Sequence, residues 1–264
     1  MNYRMIAADM DGTLLNDASE LTQRTKNAVI KAADSGIIFV TATGRALQGV
    51  EIVNKLFRRD MPFIIFNGAA VVMGKSRSTL FTRFLDPTLA LEACGQGIER
   101  GMPVILWTDK NLWASHKCRE TLAYSEYYNI EMKYINNAYE FMEEEVYKLL
   151  WIGRPGDISR FQHEMNNHFL DRLNCHSSRP TMLEFVSPDA EKGAAMAELG
   201  RRYGIDRSEM VAIGDGYNDI SMLKYAGLGI AMENAPDEVK SSCAHVTSSN
   251  NEDGVAEALD KHVF

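Results

Sequence analysis

Two aspartates two residues apart, Asp9 and Asp11, close the apolar run Met5-Ile6-Ala7-Ala8 and are followed by Gly12 and Thr13. In extended chain, residues i and i+2 share a side, and carboxylates that close repel unless a cation or a proton lies between them. A hard divalent metal answers that need. Gly12 permits a turn that a Cβ would hinder, and Thr13 adds a hydroxyl beside the pair. The same Asp-x-Asp-Gly spacing opens a calcium loop, with Thr13 and Glu20 at that loop's fifth and twelfth positions. Against the calcium loop, Gly12 stands fourth instead of sixth, Leu15 offers only a backbone carbonyl, and the run before Asp9 reads as a strand where a helix is needed.

Polar groups of matching chemistry recur downstream: Thr43 with Gly44, then Lys192, then Asp215 with Asp219. Asp9, Asp215 and Asp219 could give carboxylate oxygens to Mg²⁺, which binds through a few carboxylates, waters and substrate phosphate. Thr43 and Lys192 could hold phosphate oxygens, the first as a donor and the second as a point charge. That is a phosphoryl-transfer site in outline.

The elements that must position these groups alternate. Met5 to Asp9 reads as a buried parallel strand, Leu21 to Ser35 as a helix with Thr22 at its N-cap and Gly36 as its stop, and Ile37 to Val40 as a second strand. A helix over Ala46 to Phe57 and a strand over Phe63 to Phe66 follow, so the first third predicts a parallel sheet with right-handed crossovers. Between Leu80 and Met182 the pattern loosens into a helix over Leu89 to Glu99, a hairpin at 104–114, a strand over Tyr147 to Ile152 and a helix over Ile158 to Met165. The parallel pattern resumes with a helix over Asp189 to Tyr203, a strand over Met210 to Ile213, a short helix over Ile220 to Tyr225 and a strand over Gly229 to Ala231. The fold class expected is therefore α/β, a Rossmann-like parallel sheet core built from 1–82 and 183–264, with an α+β module inserted at 83–182.

At 264 residues, 45% hydrophobic and 24% charged, the composition is that of an ordinary globular chain. A net charge of -8 argues against a general nucleic-acid binder. Cys94, Cys118, Cys175 and Cys243 lie far apart with no Cys-x-x-Cys pair and read as reduced thiols of a cytoplasmic protein. No apolar run approaches the roughly 20 residues that cross a bilayer, so no membrane partner is expected.

The whole chain resembles the haloacid dehalogenase superfamily of phosphatases, in the Cof-like branch with a large α/β cap inserted after the third core strand. Asp9-Met10-Asp11-Gly12-Thr13-Leu14-Leu15 is similar to the first motif of that family, Thr43-Gly44-Arg45 to the second, Lys192-Gly193 to the third and Gly214-Asp215-Gly216-Tyr217-Asn218-Asp219 to the fourth. The resemblance implies that Asp9 is the nucleophile and Asp11 the acid and base, with Thr43 and Lys192 neutralising phosphate oxygens. It further implies phosphate contacts from Met10, Gly44 and Asn218. Mg²⁺ ligands would come from Asp9, the backbone carbonyl of Asp11, Asp215 and Asp219, the last directly or through water. The substrate implied is a small phosphorylated metabolite, with sugar phosphates foremost, and the protein a monomer or homodimer.

Each residue also has a plainer role. Thr43 could be a turn residue and Lys192 a solvated charge, although their place in the ordered motifs favours function for both; Arg45 is balanced between function and a helix-start charge, and Asn67-Gly68 and Asn234 could be turn chemistry. The six histidines show no metal spacing, and Trp107, Trp113 and Trp151 suit core packing. Two other functions fit the core: a receiver-like domain that holds phosphate on an acceptor aspartate, and a mutase that moves phosphate between positions of one sugar. Asp11 and the large insertion argue against the receiver.

Overall fold

Met5–Asp9 is apolar up to its final acid, and all five residues are buried, as a strand covered on both faces requires. This is β1 in a computed structural model that describes residues 3–137 and 139–264. After it come α1 (Gln23–Asp34), β2 (Ile38–Ala42), α2 (Glu51–Asn54), β3 (Pro62–Ile65), β4 (Ala70–Met73) and β5 (Thr79–Thr82). Thr22 caps α1, its side chain accepting from the Thr25 N–H.

The inserted stretch supplies α3 (Pro87–Glu99), β6 (Val104–Thr108), β7 (Leu112–Ala114), α4 (Arg119–Tyr128), β8 (Met132–Tyr134), β9 (Val146–Ile152), α5 (Pro155–Phe169), β10 (Asn174–Arg179) and β11 (Met182–Val186). The final stretch adds α6 (Lys192–Tyr203), β12 (Met210–Gly214), α7 (Ile220–Tyr225), β13 (Leu228–Ala231), α8 (Asp237–Lys240), β14 (His245–Val246) and α9 (Gly254–His262).

The chain divides into two compact units, Met1–Phe81 with Glu191–Phe264, and Thr82–Ala190. In the first, eight strands run in the order β14-β13-β12-β1-β2-β3-β4-β5. From β14 to β3 the pairings are parallel. The connections from β1 step through β2 to β3 on one side, and those from β12 step through β13 to β14 on the other. The chain thus reverses its winding between β1 and β12, the position at which open parallel sheets bind ligands outside the C-terminal ends of their strands. Asp9 and Asp215 stand at those two ends.

Two features depart from the sequence reading of this unit. The helix expected over Ala46 to Phe57 is a 3₁₀ turn at Leu47–Val50 followed by the single turn of α2; Gly49 and the β-branched pair Ile52 and Val53 weaken a longer helix there. The sheet also carries an antiparallel edge, because β4 folds back on β3. The run 74–78 supplies the turn from β4 into β5.

In the second unit, six strands run β10-β11-β9-β6-β7-β8, with β6 and β7 forming the expected hairpin. Leu149, Trp151, Leu183 and Phe185 share a buried cluster with Ile158, Phe161 and Phe169 of α5. All three tryptophans are buried, and each indole N–H is satisfied: Trp107 donates to Tyr124 Oη, Trp113 to Glu144 and Trp151 to the Ala93 carbonyl. The C-terminal junction falls at 190/191, where the spacing placed it at 182/183. Residues 183–186 belong to β11, which pairs with both β10 and β9, so they stay with the inserted sheet. Among the described residues no helix is long and apolar enough to cross a membrane.

Candidate active site

Asp9 ends the buried strand β1, so its carboxylate emerges at the sheet edge while remaining only 6% exposed. Lys192 opens α6 and is fully buried. Its Nζ donates to Asp9 Oδ1 at 2.5 Å and to Asp219 Oδ1 at 2.6 Å. The second oxygen of Asp219 accepts the backbone N–H groups of Asp215 at 3.0 Å and Gly216 at 2.8 Å, which folds the loop after β12 around it. Asp215 in turn accepts from Thr13 Oγ1 at 2.7 Å. Gly12 has φ +80°, and a Cβ there would lie 2.4 Å from Asp215 Oδ2, so only glycine lets the loop after β1 pass so close to that acid.

The charges in this centre do not balance. Burial, and after it the Asp219 carboxylate, push Asp9 well above the usual carboxylate range against the pull of Lys192. Asp215 is pushed up to about 6, first by burial and then by Asp219, although the Thr13 hydroxyl opposes this. Burial disfavours the Lys192 ammonium, but Asp219 and Asp9 outweigh it and raise its pKa. Ligand oxygens of Asp9, Asp215 and Asp219 all lie within 4.8 Å of one another. Three acids facing one ammonium form a hard-oxygen donor set short of positive charge, which fits a divalent cation.

The structure sends the Asp11 carboxylate elsewhere. The strand stops at Asp9 and the chain turns, leaving the Asp11 side chain half exposed. Asp11 instead accepts both Arg45 Nε, at 2.8 Å, and a terminal guanidinium nitrogen, at 2.5 Å. This bidentate pair gives Arg45 a specific partner beyond a helix-start charge.

Met10 is fully buried and Thr43 nearly so. Thr43 follows β2, and its Oγ1 accepts the Arg45 N–H at 3.1 Å. Asn218 is exposed, and its Nδ2 donates to Asn67 Oδ1 at 2.9 Å. Apart from the buried Met10, the residues named from sequence therefore fall into two sets. Asp9, Lys192, Asp215 and Asp219 touch directly, whereas Asp11, Thr43, Gly44 and Asn218 meet Arg45 or Asn67.

Three asparagines hold the loops, and sequence reasoning set them aside or passed them over. Asn234 donates to the Gly12 carbonyl at 2.9 Å and accepts the Asn250 N–H at 3.0 Å, while Asn250 Nδ2 donates to the Leu15 carbonyl at 3.0 Å. The third is Asn67. A strand ending in Asn-Gly is a legible signal for Asn67; Asn250 carries none, because its partners lie far away in sequence.

The chain as a whole is similar to known proteins. The family of haloacid dehalogenase-like hydrolases is matched over residues 6–259. The chain is 30% identical to the 5-amino-6-(5-phospho-D-ribitylamino)uracil phosphatase YwtE of Bacillus subtilis, over 98% of this chain and 97% of that protein. A solved haloacid dehalogenase-like hydrolase from Bacteroides thetaiotaomicron is 27% identical, with a TM-score of 0.86 over 98% of this chain and 99% of the other. Another, from B. subtilis, is 28% identical with a TM-score of 0.84 over 99% and 100%.

Proposed function

The chain belongs to the haloacid dehalogenase-like hydrolases, and from that premise we propose that it dephosphorylates small metabolites through an aspartyl phosphate on Asp9. Its class, a phosphoric monoester hydrolase, follows from the family and its phosphatase relatives. One observation carries the finer reading: the carboxylates of Asp9, Asp215 and Asp219 are drawn together at the sheet edge with Lys192 donating to two of them.

In this reading an Asp9 oxygen attacks phosphorus and the bond from phosphorus to the leaving oxygen breaks. Asp11 gives the leaving alkoxide a proton, then takes one from the water that attacks the phosphoenzyme, and inorganic phosphate departs as the Asp9–phosphorus bond breaks. Lys192 and Thr43 hold the equatorial oxygens as charge spreads over them, and Met10, Gly44 and Asn218 complete the phosphate contacts. Asp9, Asp215, Asp219 and the backbone carbonyl of Asp11 would hold Mg²⁺, which supplies neutralisation of the phosphoryl charge. The inserted unit serves as a cap that selects the leaving group. Sugar phosphates head the candidate substrates, since the relative in B. subtilis is named for a substrate with a phosphorylated ribityl chain.

The test is phosphate release from p-nitrophenyl phosphate and a panel of sugar phosphates, nucleotides and pyridoxal phosphate, with magnesium or with excess chelator. Release should require magnesium, and D9N should lower it by at least about a thousandfold, since it removes the nucleophile, while leaving the circular dichroism unchanged. Full activity in D9N or in chelator would reject the reading. Persistence of a phosphoprotein without steady release would point to a receiver, and isomer interconversion without release to a mutase.

A further inference from the structure

After β3 the backbone enters the left-handed region three times in succession, at Phe66 (φ 51°), Asn67 (φ 58°) and Gly68 (φ 104°). Glycine adopts that region freely and asparagine tolerates it, but phenylalanine there is strained. All three residues are buried, so the surroundings hold the turn in place. The Phe66 N–H donates to the Arg45 carbonyl at 3.1 Å, and the Asn67 N–H to the Thr43 carbonyl at 3.0 Å. A Cβ on Gly68 would lie 2.4 Å from the Glu191 carbonyl, immediately before Lys192. On the other side Gly44 lies so close that its Cβ would stand 2.9 Å from Asn67 Oδ1. That same oxygen accepts Nδ2 of Asn218 at 2.9 Å. One strained turn thus touches the Thr43–Arg45 loop, the residue before Lys192, and Asn218.

We propose that Asn67 is a positioning residue for phosphate: its side-chain oxygen fixes the amide orientation of Asn218, and its backbone seats the Thr43–Arg45 loop. An amide is nearly symmetric in shape, yet one end donates and the other accepts. An anionic ligand is held by the donor end, and Asn67 is the neighbour that decides which way the Asn218 amide faces. Asparagine suits the position because one side chain must accept a hydrogen bond while its backbone stays left-handed. The inference rests on reading this edge as a phosphate site.

The variant N67G keeps a backbone compatible with positive φ and removes the amide. It should melt near the wild-type temperature, raise KM for p-nitrophenyl phosphate and the inhibition constant of inorganic phosphate by about tenfold, and change kcat much less. The combination with N218A, at an exposed position, separates positioning from packing: once Asn218 is gone, adding N67G should weaken phosphate by less than about twofold. An unchanged inhibition constant in N67G, or a full additional loss in the N218A background, would overturn the proposal. Calorimetric titration of inorganic phosphate into the unmodified protein keeps this separate from the function above. Phosphate binding without turnover would reject the phosphatase and leave Asn67 to be judged on binding; no phosphate binding would reject both.

Discussion

Each unit buries a lysine against carboxylate, and the two sites are opposites in charge balance. In the inserted unit Lys148 lies 2.9 Å from Glu184, both almost fully buried, with His176 3.6 Å from the other Glu184 oxygen. Burial alone would raise the Glu184 pKa, but Lys148, and after it His176, outweigh that and hold the carboxyl at about 2. In the first unit Lys192 faces Asp9, Asp219 and, close by, Asp215, and there the acids are pushed up. The matched pair is complete within the protein. The mismatched centre holds more negative charge than its lysine can answer, which is the arrangement expected where a cation and a phosphoryl group are to be handled.

The sharpest test of this contrast removes each lysine. K192M should reduce phosphate release by about a hundredfold to a thousandfold, as for loss of a main oxyanion partner, measured by steady-state hydrolysis of p-nitrophenyl phosphate. K148M should instead appear as a stability loss of about 3–5 kcal/mol in denaturant unfolding, because it strands a buried carboxylate. Replacing both partners, as in K148M with E184L, should recover most of that loss; if it does not, the pair is not the self-contained unit described.

A smaller effect concerns acid. Glu184 is lowered in the folded state from an ordinary value of 4.5 to about 2. Its contribution is therefore fully present above pH 4.5 and is lost as pH falls toward 2, a total of about 3 kcal/mol. Compared by denaturant unfolding across that window, wild type should lose this much more than E184Q. Equal slopes for the two proteins would show that Lys148 does not hold the Glu184 proton off.

Parts of the molecule were legible in sequence for a local reason. An apolar run that ends in an acid, as at Asp9, announces a buried strand with its chemistry at the edge, and Thr22 and Gly36 bracket α1 by their own conformational preferences. Other parts were hidden because local preference was weak or overruled. The helix expected from Ala46 breaks into a 3₁₀ turn and a single α turn, because Gly49, Ile52 and Val53 make its local preference weak. Residues 183–186 read as a return to the core, yet belong to β11 because two partner strands claim them. Arg45 is evenly balanced in sequence between a functional role and a helix-start charge, and its partner Asp11 lies 34 residues away.

The sequence by itself determined the alternating strands and helices and the polar residues at their ends, since periodicity and side-chain chemistry are properties of short stretches. Only the tertiary structure decided that β12 lies beside β1, which brings Asp215 to Asp9, that the Asp11 carboxylate pairs with Arg45, and that Asn67 reaches Asn218. Those outcomes depend on strand order and on a few backbone angles in turns. Both are set by packing between segments far apart in the chain, where no local pattern records them.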